Sequence, residues 1–327
     1  MDKIRAAVVG CGNISRSHFS AIEKNENIVL ACVCDNQSDR ADDAAKKYGC
    51  KAFYSFDEML NWGEFDVIHI CTPHYLHSEM AIKGLNAGKN VLSEKPMAMN
   101  LAEATAIYEA AKKSSGQYGV CFQNRYNPSS QKMKEVLDSG KLGKILGGKG
   151  IVCWDRDENY YLADEWRGKK KTEGGGVLIN QSIHTLDLLL WMINSSVTDV
   201  KSSISTKRLA DFIEVEDTAD MLLSFSDGQR AVFYATICGV GNDPVCLDII
   251  CENGKMRLGE KLIITNPDDT QEIYDIDRIS GTKSYWGTGH NALISDFYDC
   301  IKTDRHFEID ENEGIKTISV LDKIYNK

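Results

Sequence analysis

The feature that most limits what this chain can become is its opening. The apolar run from Ile4 to Val9 breaks at Gly10-Cys11-Gly12-Asn13-Ile14-Ser15 and gives way to a helical pattern from Ser17 to Glu23. A second apolar run, Ile28 to Cys34, follows, so strand, glycine turn, helix and strand form a parallel crossover unit. Gly10 permits the tight turn. Gly12 lets the backbone approach a pyrophosphate lying against the unpaired N–H groups of the helix N-terminus, with Asn13 and Ile14 completing the cradle. Ser15 stands where a third glycine is usual. The second strand ends in Asp35, whose carboxylate can accept both ribose hydroxyls of an adenosine and repels a 2'-phosphate, which favours NAD over NADP. Asp35 is equally suited to be a turn residue in Asp35-Asn36-Gln37-Ser38, capping the next helix.

The alternation continues as helix Ser38 to Tyr48, strand Lys51 to Phe53, helical turn Phe56 to Trp62, and strand Val67 to Cys71. Thr72 then sits at a strand's carboxyl end and Pro73 opens a helix that runs to Ala87. Strand Asn90 to Ser93, helix Leu101 to Lys113 and strand Tyr118 to Phe122 complete the rhythm of a parallel sheet covered on both faces. An α/β Rossmann domain over residues 1–124 is therefore expected. Ser93-Glu94-Lys95-Pro96 places Lys95 at the carboxyl end of a buried strand, where doubly wound sheets bind their ligands. A lone Lys-Pro is ordinarily a surface lysine capping a strand.

Beyond Asn124 the rhythm changes. A helix from Ser130 to Ser139 leads into a long strand, Ile145 to Trp154, and a polar, aromatic stretch from Asp155 to Lys171. Strands then follow strands from Val200 to Ile276, separated by turns such as Ser226-Asp227-Gly228 and Glu252-Asn253-Gly254, and helices close the chain. The expectation for 125–327 is an α+β domain with an open, mostly antiparallel sheet. Within it, Gly174-Gly175-Gly176 allows close approach of backbone to a ligand, and the helix that follows puts Asn180, His184 and Asp187 on one face at i, i+4 and i+7.

Composition excludes several classes. With 327 residues, 43% hydrophobic and 26% charged, the chain has room for two folded domains and is neither disordered nor membrane-spanning. A net charge of -10 argues against nucleic acid as a partner. The 11 cysteines include no C-x-x-C pair and several lie in strand-like runs, as small core residues in a reducing compartment. The seven histidines form no H-E-x-x-H pattern, so no metal is expected. The N-terminus runs straight into a strand, which reads as cytoplasmic.

Taken together, Gly10-x-Gly12 with Asp35, Thr72-Pro73-x-x-x-His77, Glu94-Lys95-Pro96 and the segment Gly174 to His184 resemble the Gfo/Idh/MocA family, named for glucose-fructose oxidoreductase and inositol dehydrogenase. The resemblance implies a bound nicotinamide cofactor lined by the glycine turn, Asp35, Thr72, Pro73, His77, Glu94 and Lys95. It further implies oxidation or reduction of a sugar-like alcohol, and a homodimer or homotetramer built through the C-terminal sheet. Lys95 matches the family's active-site lysine and His184 its catalytic histidine, while Asn180 stands where many members have an aspartate. Trp166-Arg167-Gly168 with Asn180-Gln181 resembles members acting on anhydrosugars, uronates or sugar nucleotides. Arg125, Tyr126, Tyr160, Tyr161, Arg167 and His290 are the remaining candidates for the substrate pocket. Two other uses of such a chain stay open: an NAD-dependent glycosidase without net redox, and a non-catalytic sensor of NAD or a sugar.

Overall fold

The computed structural model describes residues 3–276 and 289–326. The chain divides into two compact units, Met1–Phe122 with His290–Ile318, and Gln123–Gly289 with Ser319–Lys327.

The first unit is built on six parallel strands, β1 (Ile4–Val9), β2 (Ile28–Cys34), β3 (Lys51–Phe53), β4 (Val67–Ile70), β5 (Asn90–Ser93) and β6 (Tyr118–Val120), in the order β3-β2-β1-β4-β5-β6. Helices α1 (Ser15–Lys24), α2 (Ser38–Tyr48), α3 (Phe56–Trp62), α4 (His74–Asn86) and α5 (Leu101–Lys113) connect them. Residues Ala6 to Val9 and all of β4 are buried, as expected of strands covered on both faces. The strand order reverses between β1 and β4, and Val9 pairs with Ile70 there, so the two strand ends open the crevice of a topological switch point. Gly10 lies at that point with φ +87°. A Cβ on it would stand 2.6 Å from the Cys71 carbonyl oxygen, so only glycine lets the turn close over the end of β4.

The second unit carries eight strands: β7 (Ile145–Cys153), β8 (Val197–Ser205), β9 (Thr218–Phe225), β10 (Arg230–Thr236), β11 (Cys246–Cys251), β12 (Gly254–Leu258), β13 (Lys261–Thr265) and β14 (Gln271–Asp275). Their order is β14-β13-β12-β11-β7-β10-β9-β8, antiparallel throughout except for the parallel pair β7 and β10. The first strand in sequence is thus a central one in space. One register row crosses the whole sheet as Ile273, Ile263, Arg257, Asp248, Lys149, Val232, Leu222 and Lys201. The neighbouring row, Leu262, Leu258, Leu247, Gly150, Phe233 and Met221, faces the core.

Four helices precede or line this sheet: α6 (Pro128–Asp138), α7 (Glu158–Leu162), α8 (Lys170–Glu173) and α9 (Ile183–Ile193). Apart from Trp191, every residue of α9 is buried. It lies against β7 where that strand has Gly148 and Gly150. Cβ atoms there would come 3.1 Å from Leu189 and 3.4 Å from Thr185, so the glycines set how closely helix and sheet pack.

Near its end the chain returns to the first unit with α10 (Gly289–Thr303) and the turns before α11 (Glu311–Tyr325). Phe297, Tyr298 and Phe307 are fully buried, a Cβ on Gly119 would lie 2.9 Å from the Phe307 ring, and the Val120 N–H bonds the Ile309 carbonyl at 3.0 Å. Residues 290–318, which the sequence reading assigns to the second domain with the rest of 125–327, complete the first. Among the described residues no single helix is long and apolar enough to cross a membrane.

Candidate functional site

In the first unit the glycine turn is held from below. The Ser15 hydroxyl donates to the Gly12 carbonyl at 2.7 Å, so the residue replacing the usual third glycine braces the turn at the start of α1. No acidic side chain occupies the first turn of that helix, which keeps its N-terminal N–H groups favourable to an anion. Nothing lies within 4 Å of where a Cβ on Gly12 would stand. Asp35 accepts the Cys11 N–H on one oxygen (2.8 Å) and the Gln37 N–H on the other (2.9 Å), which fixes the carboxylate beside the turn. Asp35 is thus a turn residue just past the end of β2, and α2 begins at the N-cap Gln37 without a side-chain cap. Asn13 is exposed and Ile14 half-buried. Open space at Gly12, a bare helix N-terminus and a fixed carboxylate fit a dinucleotide.

Lys95 is half-buried just past β5. Its segment is tied down by two different side chains. His77, fully buried on α4, reaches the Thr72 carbonyl with Nε2 (2.8 Å) and the Pro96 carbonyl with Nδ1 (2.7 Å). It is therefore a strut joining the loops after β4 and β5, and any influence on a ligand passes through those loops. Burial lowers its pKa against the pull of the two carbonyls, which favour a doubly protonated ring. Pro73 is half-buried at the head of α4, and the Thr72 hydroxyl lies on the Met80 sulfur at 3.7 Å.

Glu94 turns inward. Its Oε1 accepts from His18 Nε2 (3.0 Å) and His290 Nε2 (3.3 Å), and its Oε2 accepts the Lys95 N–H (3.3 Å). Burial would raise this carboxyl, but the bonds from His18 and His290 outweigh it and hold it well below the usual carboxylate range. His18 Nδ1 meets His69 Nδ1 at 2.8 Å, and His69 Nε2 meets the Tyr298 hydroxyl at 2.7 Å. One set of donors satisfies every member: Tyr298 to His69, His69 to His18, His18 to Glu94. His290, expected in a substrate pocket, is part of this buried line. Cys121 approaches the same cluster, with ligand atoms of His18, Glu94 and Cys121 within 4.8 Å of one another.

The triple glycine of the second unit is packed against the chain itself. A Cβ on Gly176 would lie 1.9 Å from the Glu216 carbonyl oxygen, and one on Gly175 would lie 2.3 Å from the Tyr325 hydroxyl. The expected close approach is thus to the chain's own backbone and Tyr325. Glu216 receives the Gly176 and Leu178 N–H groups (2.9 and 3.0 Å) and the Tyr325 hydroxyl (2.8 Å). The segment that follows is a π-helical turn, Val177–Gln181, and the axes of Lys170–Gln181 and Ile183–Ile193 meet at 58°. Asn180 and His184 therefore do not share one straight helical face. Asn180 lies in the turn and its amide nitrogen donates to Glu173 Oε1, while His184 opens α9.

His184 is nearly buried, and the Gln123 amide nitrogen meets its Nε2 at 3.4 Å. Asp187 grips Arg125 through Nε (2.8 Å) and Nη2 (2.6 Å), an ion pair with both members buried. Tyr126 is half-buried in the 3-10 turn Gln123–Tyr126. Asp157 caps α7 on the Tyr160 N–H, which sets the Tyr160 ring between two guanidinium groups, Arg167 at 4.3 Å and Arg156 at 5.3 Å from its centroid. Tyr161 points inward and is buried, its ring edge-on to Tyr160. Arg167 is held by Asp164 at 2.9 Å.

Sequence reasoning missed Glu173, Glu216, Gln123, His18 and His69. The legible signal for the last two was a histidine inside an otherwise apolar helix face and strand. For Glu173 it was an acid abutting three glycines.

Residues 4–122 match the model of an oxidoreductase family with an NAD-binding Rossmann fold, and residues 130–257 match the GFO/IDH/MocA C-terminal domain. Oxidoreductase P35 of Formosa agariphila is 31% identical over 191 residues, 57% of this chain and 60% of that protein. Levoglucosan dehydrogenase of Pseudarthrobacter phenanthrenivorans is 27% identical over 216 residues, 62% of this chain and 55% of that protein. The chain thus matches less than two thirds of the length of either relative. Among solved structures, the WlbA dehydrogenase from Bordetella pertussis, in complex with NADH and UDP-GlcNAcA, aligns with a TM-score of 0.85 at 29% identity, covering 99% of this chain and 96% of that one.

Proposed function

Because the chain belongs to the Gfo/Idh/MocA family of oxidoreductases, we propose that it is an NAD(H)-dependent dehydrogenase acting on a hydroxyl of a sugar, sugar acid, anhydrosugar or sugar nucleotide. The observation that carries this reading is the turn at the switch point of the first sheet, where open space at Gly12 adjoins the fixed Asp35 carboxylate. The nicotinamide, when bound, exchanges a hydride with the substrate carbon. The chain's own task is then to move one proton and to steady one oxygen. His184 takes the hydroxyl proton, its ring buried at the start of α9 beside the Gln123 amide. Lys95, on a segment pinned by His77 and Glu94, stabilises alkoxide character on the reacting oxygen. Asp35 favours two ribose hydroxyls over a 2'-phosphate, so NAD binds more tightly than NADP.

The test is a panel of sugars, uronates, anhydrosugars and sugar nucleotides followed by NADH absorbance, with the affinities of both cofactors measured by titration. Steady NADH production with at least one substrate class, and tighter NAD than NADP, is the expected result. Substrate turnover without NADH accumulation would replace the dehydrogenase with a glycosidase. NAD binding with no turnover of any panel member would make the chain a sensor.

A further inference from the structure

We propose that Glu173 is a positioning residue whose charge sets the direction of the Asn180 amide and, through it, whether the Tyr160 hydroxyl keeps its proton for a bound substrate. The proposal rests on the reading of the second unit as the substrate-binding half.

Glu173 ends the short helix α8 with no exposed surface. Its Oε2 accepts the Gly168 N–H and its Oε1 accepts from the Asn180 amide nitrogen. That nitrogen also lies 3.5 Å from the Tyr160 hydroxyl oxygen, and the Gln181 amide nitrogen reaches the same oxygen at 3.4 Å. Amide nitrogens only donate, so with both aimed at the phenol its two lone pairs are engaged and its own hydrogen points away from both amides. An ionised Glu173 imposes this arrangement. A neutral Glu173 reverses it: Oε2 already faces an N–H, so the proton sits on Oε1 and confronts the Asn180 nitrogen, donor against donor. The amide turns over to present its oxygen, and that oxygen then offers Tyr160 an acceptor, drawing the phenol hydrogen inward.

The surroundings decide which acid carries the proton. Arg167 favours the anion at Glu173, while Glu216, facing it across the glycine turn, opposes it, and Tyr161 and Tyr325 are the other titratable groups around the cluster. Glu216 receives Gly176 N–H, Leu178 N–H and the Tyr325 hydroxyl. Burial pushes its carboxyl up as well, against the lowering pull of these donors. Burial pushes the Glu173 carboxyl up to about 7, against the lowering pull of the Gly168 N–H, the Asn180 amide and Arg167.

Two readouts test this. Infrared difference spectra of the wild-type protein across pH about 6 to about 8 should show a protonated carboxyl C=O band that disappears with rising pH and is absent from Glu173→Gln. The ratio of wild-type to Glu173→Gln kcat/KM should rise roughly tenfold across the same range, beyond the acid limb that the His184 base gives to both. Glu173→Gln, whose amide mimics the neutral acid by donating to the Asn180 oxygen, should match the wild type on the acid side and sit roughly tenfold below it on the alkaline side, the weight of one hydrogen bond. Tyr160→Phe should fall as far, and the double variant no further. A wild-type band that does not titrate, or a ratio that stays constant with pH, overturns the proposal. If Tyr160→Phe, Asn180→Ala and His184→Asn are all fully active while the band titrates, the substrate-site reading is what fails.

Discussion

Lys95 and His184 are the residues that local motifs single out, because each is marked by neighbours with unusual backbone demands. What surrounds them was not legible there. The alignment of Asn180 with His184 assumed one uninterrupted helix from the glycines onward, and a π-helical turn defeats it, since the extra residue per turn rotates everything upstream and no side chain announces it. Asp187, placed with His184 by the same spacing, pairs with Arg125, a buried ion pair that no local motif announces. The sequence likewise offered His77 and His290 as ligand contacts, whereas His77 spends both ring nitrogens and His290 its Nε2 on the protein. Lys95 is the sharper test. Lys95→Met should lower kcat by roughly two or more orders of magnitude, the scale of losing an electrostatic contact or a general base. The NAD dissociation constant should change little. Near-normal turnover in stopped assays of this variant would reduce Lys95 to a strand cap.

Strands and helices followed the apolar periods closely, and alternation of the two marks the first sheet as parallel. The order of strands within each sheet escaped, the parallel pair β7 and β10 included, because periodicity reports which face is buried and not which strand lies alongside. Glycine shows the same limit. Gly12 and Gly176 look alike as letters in two glycine-rich turns, yet one has open space where a side chain would go and the other would drive a methyl to 1.9 Å from a backbone oxygen. Gly12→Ala should therefore keep the wild-type melting temperature and weaken NAD binding. Gly176→Ala should melt several degrees lower, a loss of roughly 1–3 kcal/mol as for other overpacked sites, with NAD binding retained by whatever remains folded. Calorimetry and cofactor titration on the pair separate the two meanings; equal melting temperatures would show that the turn at Gly176 relaxes at no cost.

For the whole molecule, acid chemistry and surface each make a prediction. The folded pKa of Glu173, about 7, stands above the ordinary value of 4.5, so the stability associated with its neutral form is fully present below 4.5 and is lost as pH rises through 7. The melting temperature of the wild type should fall relative to that of Glu173→Gln across this window, and parallel curves would show that the acid is not held neutral. The outer face of the second sheet leaves Val232 and Ile250 each 51% exposed and Ile273 57% exposed, beside the Lys149 and Arg257 pairs with Asp248. A sheet face of apolar side chains around an ion-paired centre suits a second copy of itself. Light scattering should find a dimer or tetramer that Val232→Glu with Ile250→Glu reduces to monomers; an unchanged mass would place the contact elsewhere. The return of residues 290–318 to the first sheet has a consequence for how the protein is made. Phe297, Tyr298 and Phe307 leave the ribosome only after residues 123–289 of the second unit, so β6 waits through most of translation with its outer surface uncovered. The domain that begins the chain is finished only when the chain is nearly complete, and a nascent chain halted before residue 290 carries an exposed flank that chaperones and proteases can read.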